Sequence, residues 1–185
     1  MLKLRFVEQK PDETINGLRS LVLDDAKDNW ANLKYGGFDA KDTSYGFADL
    51  RMTHLGLTNS TYFGKWGTPA VTSAGTATTW WDSTVHKDSY HLYYGIQNRT
   101  ATPKIFEAKF YLGGVENAWL DLQEMYGWDI ARYYFEQGLT VGPDQSTRAE
   151  VTAEATVAAR AEILGLVGEI LAKRSYIIKY DAPTP

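Results

Sequence analysis

Residues 90–112 read YHLYYGIQNRTATPKIFEAKFYL, and this stretch decides the fold class of the chain. Its first part, Tyr90–Ile96, and its last part, Lys104–Leu112, are rich in aromatic and aliphatic residues, a composition that favours strands. Pro103 precedes the second segment and Gly113-Gly114 follows it, so turn residues bound that segment on both sides. Two short strands are therefore predicted here.

The same pattern extends over much of the chain. Further strands are predicted at the opening LKLRFVE, at Leu18–Leu23 and over Tyr45–Leu57, with turn residues about every 8 to 14 positions. Short strands at this spacing predict a mainly β fold, an antiparallel jelly-roll-like barrel or sandwich. The length of 185 residues fits a single domain over 1–185, of which 1–142 is the aromatic-rich β region.

The end of the chain has a different pattern. Thr147 and Glu150 have the T-x-x-E spacing of a helix capping box, and the alanine content favours one C-terminal helix over 147–174. Over 148–160, apolar and polar residues also alternate, which is the alternative pattern of a strand. We predict the helix, followed by a final, closing strand over 175–180.

Aromatic residues are the unusual part of the composition, at 14% of the chain. Several are adjacent in sequence, and neighbouring side chains on a strand point to opposite faces of a sheet. One ring of each pair is then expected to lie outside, where it contacts another protein or stacks on a sugar, unless loops 58–79 and 113–118 cover it within one chain. The residues predicted as interface or stacking aromatics are Trp66, Trp80, Trp81, Tyr93 and Tyr94.

Patterns typical of catalysis or cofactor binding are not found in the sequence. There is no cysteine, and His86 and His91 are five residues apart, a spacing that directs the two rings away from each other on a strand or a helix. Residues 119–124 resemble the E-x-D-x-x-E strand of some jelly-roll glycoside hydrolases in Asp121 and Glu124. Trp119 stands at the nucleophile position, however, and retaining hydrolysis needs two carboxylates. We predict no catalytic residue, no cofactor and no metal site.

Charge and hydropathy restrict the partners and the location that we expect. The net charge is −4 and no stretch concentrates basic residues, so direct nucleic-acid binding is not expected. The longest apolar run, at 163–171, is about half of the roughly 18 residues that a membrane-spanning helix needs. The first ten residues carry charges instead of the apolar middle of a signal peptide, so neither a signal peptide nor a transmembrane segment is predicted.

In length, strand spacing and lack of catalytic residues, the chain resembles the small single-β-barrel major capsid proteins of membrane-containing icosahedral viruses of archaea and bacteria. This resemblance implies a vertical jelly roll and a structural role in the virion capsid. It also implies assembly into capsomers, as a homo-oligomer or with a larger sister capsid protein, above an internal membrane. The alternative is a carbohydrate-binding β-sandwich that stacks sugars on Trp66, Trp80 or Trp81. A glycoside hydrolase ranks last.

Overall fold

The described part of the chain is built mainly from β-strands. The computed structural model describes residues 1–7, 9–36, 44–57, 67, 69–126, 132–159 and 161–181. The strands are β1 (Leu2–Lys3), β2 (Phe6–Val7), β3 (Lys34–Tyr35), β4 (Ser44–Asp49), β5 (Thr78–Thr84), β6 (Ser89–Asn98), β7 (Ile105–Leu112), β8 (Val115–Asp121), β9 (Arg132–Val141), β10 (Ser146–Ala153) and β11 (Leu164–Lys173). The helices are α1 (Asp12–Asn29), α2 (Gln123–Tyr126) and α3 (Arg174–Asp181), with a 3-10 helix at Met52–Leu55. No helix in these ranges is long and apolar enough to cross a membrane.

The strands form two sheets with the connectivity of a jelly roll. The order is β1-β8-β7-β10-β5 in the five-stranded sheet and β2-β9-β6-β11-β4-β3 in the six-stranded sheet. When the two-residue strands β1, β2 and β3 are left out, each sheet has four strands. Every two neighbouring strands among these four are antiparallel. Numbered along the chain, these eight strands follow the orders 5-4-7-2 and 6-3-8-1, which are those of a jelly roll. The predicted fold class is confirmed.

Two hydrophobic clusters give the molecule three layers. The larger cluster lies between the two sheets and includes Trp81, Tyr93 and Phe110. The second cluster lies between the six-stranded sheet and α1 and includes Tyr90 and Leu92. Every residue of β6 is buried, because one face of this central strand packs in the sandwich and the other packs under α1.

The predicted strand at Leu18–Leu23 is wrong, because these residues lie inside α1. Ile15, Val22 and Ala26 are the buried residues of this helix. Their spacing of seven and then four positions places them on one helical face, which packs on the sheet. Asp12 and Glu13 lie in the first turn, where acidic side chains favour the helix dipole.

The predicted helix over 147–174 is also wrong, because β10 and β11 occupy most of this range. In β10, Thr147 and Ala149 are buried while Arg148 and Glu150 are partly exposed, so the alternative strand pattern at 148–160 applies to β10. In β11, nearly every residue is buried because the strand lies between β6 and β4 and under α1. A strand buried on both faces is apolar almost throughout. In such a continuous run, apolar residues also occur at the positions that form one face of a helix, so periodicity alone does not distinguish the two.

The closing strand predicted over 175–180 is replaced by α3. Tyr176 and Ile177 are adjacent in sequence, and both are buried against the core between the sheets. Neighbouring positions on a strand face opposite sides, so a strand would place only one of them there. The chain therefore has a short C-terminal helix, but it follows the last strand instead of preceding it.

Candidate interaction surface

Trp80 and Trp81 both lie in the core of the sandwich, so the prediction that one of the two rings faces outward is wrong. Each residue is only 2% exposed, and the ring centroids are 4.8 Å apart. The partners of Trp81 and Thr79 on β10 are the consecutive residues Ala149 and Glu150, so Trp80 is an extra residue in a β-bulge. A bulge changes the direction of a side chain, and this one brings neighbouring rings to the same side of the sheet. Neither ring is available for stacking on a sugar.

Tyr93 and Tyr94 face opposite sides of β6 as predicted, but neither is exposed. The Tyr93 hydroxyl lies 3.2 Å from Thr147 Oγ1 in the core, and burial raises the pKa of this tyrosine. Tyr94 belongs to the cluster under α1 and is 6% exposed. The Tyr94 ring is thus covered within the chain by α1. Trp66 lies outside the described residues.

An ion pair fixes α1 on the six-stranded sheet. Arg19 of α1 donates two hydrogen bonds to the Glu169 carboxylate of β11, at 2.7 Å and 2.5 Å. The Glu169 side chain is only 11% exposed, and the bond to this carboxylate raises the pKa of Arg19. The guanidinium also lies 5.6 Å from the centre of the Phe47 ring on β4. This outer sheet face is thus closed by the chain's own helix.

The outer face of the five-stranded sheet stays partly exposed, and we call it the open face. Along β7, β8 and β10, side chains alternate between the core and this face. The side chains that point into the core are those of Ala108, Phe110, Ala118, Leu120 and Ala149. The residues next to them in sequence lie on the open face. One row across the sheet is formed in register by Lys3, Trp119, Lys109 and Glu150, and the next by Tyr111, Arg148 and Asp82. The members of the open face are Lys3, Asp82, Glu107, Lys109, Tyr111, Trp119, Arg148 and Glu150. Sequence reasoning missed this set, although the alternation in KIFEAKFYL and in TRAEV contains five of its eight members.

Cations and aromatic rings contact each other on the open face. The Lys3 ammonium lies 5.0 Å from the centre of the Trp119 ring, and the Arg148 guanidinium lies 5.1 Å from that of Tyr111. Tyr111 donates a 2.8 Å hydrogen bond to Glu150, which also pairs with Arg148, and the bond to Glu150 raises the pKa of Tyr111 to about 12. Aromatic and arginine side chains in one patch are typical of protein interfaces.

The carboxylates of the hydrolase-like segment contact protein groups. Asp121 accepts a 3.0 Å hydrogen bond from the backbone N–H of Gln123, at the start of α2. Glu124 forms a 2.5 Å ion pair with Lys3 at the edge of the open face. Among the described residues, no group of three or more metal-ligating side chains is found.

A groove beside β4 contains an exposed tyrosine. Tyr35 is 53% exposed and lines, with Phe47, Arg174 and Ile177, a groove of about 240 Å³. The Tyr35 ring lies 6.2 Å from that of Phe47, in an edge-on arrangement. This is an accessible aromatic surface that the predicted site residues did not include.

Comparison with protein-family models, with curated proteins and with solved structures finds no match for this chain.

Proposed function

We propose that the chain is a capsid subunit of a virion, which assembles with copies of itself through the open face. The observation that carries this proposal is a jelly roll in which one outer sheet face is closed by α1 while the other stays partly exposed. Jelly rolls are the fold of many viral capsid proteins, and also of lectin domains and cupins.

The open face replaces the aromatic pairs as the proposed contact surface. Trp80, Trp81 and Tyr94 are buried inside the subunit, whereas Trp119 and Tyr111 lie partly exposed beside Lys3 and Arg148. Rings of this kind bury a large area at low entropic cost when a second surface covers them.

The charges of the open face also suit a contact between copies. Lys109 lies 3.9 Å from Glu107 with about a third of each side chain exposed, so both signs of charge are available to a facing copy. Such contacts are individually weak, but a closed shell repeats them many times. A larger sister capsid protein and an underlying membrane would be additional partners of the assembled shell.

Reversing one charge on the open face is expected to weaken assembly. In Lys109→Glu, the new carboxylate lies beside Glu107 and meets the acidic groups of the facing copy. We expect the association constant to fall by about tenfold or more, since like charges in an interface are costly. Light scattering with mass resolution, across a range of protein concentrations, measures the assembled mass of both proteins.

Lys27→Glu is the matched control, because Lys27 is an exposed lysine of α1, on the other side of the molecule. It should assemble like the parent chain, and urea unfolding should show that both variants are folded. A parent chain that stays at 20.8 kDa at all concentrations would contradict the capsid proposal. Assembly that both variants leave intact would contradict the choice of the open face.

The groove at Tyr35 favours a second candidate function, carbohydrate binding. An exposed aromatic ring beside Arg174 offers both a stacking surface and hydrogen-bond donors to a sugar. If this is the function, the chain should be retarded on polysaccharide gels, and Tyr35→Ala should abolish the retardation. Trp119→Ala is the control, since that ring lies on the open face. Equal mobility with and without polysaccharide would exclude this candidate.

A further inference from the structure

Two of the three histidines of the chain contact one tyrosine of α3, and the third lies next to one of those two. The Tyr176 ring stacks on His86 at a centroid distance of 4.7 Å and lies 5.9 Å from the ring of His54. His54 in turn lies 6.4 Å from His91. These side chains come from α3, the β5–β6 turn, the 3-10 helix and β6. We call them the histidine cluster; sequence spacing did not indicate it, because the approach is tertiary.

Two of these histidines are buried. His91 is fully buried, and its Nδ1 lies 3.1 Å from the Tyr93 hydroxyl. Its Nε2 is buried as well and has no hydrogen-bond partner within the part of the chain that the structure describes. His54 is 7% exposed, and its Nδ1 accepts a 3.0 Å hydrogen bond from the Arg51 backbone N–H. The neutral ring of His54 therefore carries its proton on Nε2.

The charged groups around the cluster oppose protonation of the two buried rings. Burial, together with a smaller effect of the Arg51 charge, lowers the pKa of His54 to about 4. Burial and the neighbouring His54 lower the pKa of His91 to about 3. Asp88 lies 3.7 Å from His86 Nδ1, but it also forms a 2.6 Å ion pair with Lys173 at the end of β11. Tyr93 faces His91 from the core with an uncharged hydroxyl group, whose other neighbour is the uncharged hydroxyl group of Thr147.

We propose that the histidine cluster is an acid-sensitive latch, in which protonation of His54 and His91 opens this end of the sandwich and releases α3. A histidine in water has a pKa near 6.5, so below that pH the opened state binds protons that the closed state does not. The closed state therefore loses stability as the pH falls below about 6.5, and it keeps that stability above pH 7. Between pH 7 and pH 5, the opening constant should rise about 20-fold for each of the two histidines.

Hydrogen exchange of the full chain at pH 7.5 and pH 5.0, corrected for the intrinsic exchange rate, tests this proposal. We expect amides of α3 and of the start of β6 to lose protection by more than about 100-fold at the lower pH, while β7 stays protected. His54→Gln should reduce the dependence to about 30-fold, and His54→Gln combined with His91→Phe should remove it. His86→Gln is the control, because this side chain is already 45% exposed and should leave the dependence intact.

Equal protection of α3 at the two pH values would overturn the latch. So would a loss of protection that includes β7 to the same extent, because this is global unfolding. If the double variant does not fold, His54→Gln alone decides: a dependence as steep as that of the parent chain would contradict the proposal. None of these results depends on whether the chain assembles, so the latch can fail while the capsid proposal stands.

Discussion

Trp81→Ala is expected to destabilise the fold by about 3–5 kcal/mol, the largest effect that we predict for one side chain. The ring is 2% exposed and lies 5.8 Å from Phe110 and 6.2 Å from Tyr93. Its Nε1–H donates a 3.3 Å hydrogen bond to Thr147 Oγ1, so truncation also removes a donor from a buried polar group.

Trp80→Ala should have a similar cost, because the bulge places this ring in the same core and its Nε1–H bonds to the Gly67 carbonyl oxygen. Urea unfolding followed by far-ultraviolet circular dichroism gives the free energies, since loss of a tryptophan changes the fluorescence signal. Trp119→Ala is the control: its ring lies partly exposed on the open face and should cost markedly less stability.

A loss of 5 kcal/mol is a large fraction of the stability of a typical domain, so Trp81→Ala is expected to reduce the yield of folded protein. Trp81→Phe keeps a ring in the core, and we expect an intermediate cost from it. If Trp80→Ala or Trp81→Ala left the unfolding free energy within about 1 kcal/mol of the parent value and weakened assembly instead, the core position of that ring would be wrong.

Gly168→Ala is expected to destabilise the protein by about 2–3 kcal/mol, although it adds only one methyl group. Gly168 lies at a register shift between β11 and β6, where the two strands approach each other closely. A methyl group there would overlap the backbone carbonyl oxygen of Leu92 and lie 3.1 Å from a methyl of Leu50. The backbone of a central strand cannot yield as the end of a flexible side chain does.

Gly46→Ala is the matched control on β4, the other neighbour of β11. A methyl group at Gly46 meets no atom within 4 Å. We expect this change to be neutral or to stabilise by up to about 1 kcal/mol, because alanine has less conformational freedom in the unfolded chain. Equal unfolding free energies for the two variants would show that β6 and β11 do not approach as closely as described.

The sequence predicted two strands that are rich in aromatic and aliphatic residues. Tyr90–Ile96 lies in β6, and Lys104–Leu112 matches β7 apart from Lys104, because such residues between turn signals have few other stable arrangements in a sandwich. The alternation over 148–160 also matches β10, whereas the capping-box spacing of Thr147 and Glu150 favours a helix that does not form. In the fold, Thr147 bonds in the core and Glu150 bonds to Tyr111, so neither caps a helix.

The candidate site could be predicted only in part. Whether the outer face of a strand is buried or exposed depends on how the whole chain folds. Tyr94 is an example, because α1 buries its ring. The bulge at Trp80 shifts one residue relative to β10, and no local pattern indicates such a shift. The open face and the Tyr35 groove are the surfaces left after this packing is complete.

By itself, the sequence determined the mainly β class and a sandwich or barrel of short strands, because turn residues and short apolar segments act locally. Only the tertiary structure decided that Leu18–Leu23 is helical, that β11 is a strand and that His54 and His86 meet at Tyr176, with His91 next to His54. For β11, the physical reason is burial on two faces. An element with one buried face shows a period in its sequence, whereas β11 lies between layers and is apolar almost throughout, apart from Glu169 and the terminal Lys173. Which layers surround such a segment depends on contacts between residues far apart in the chain.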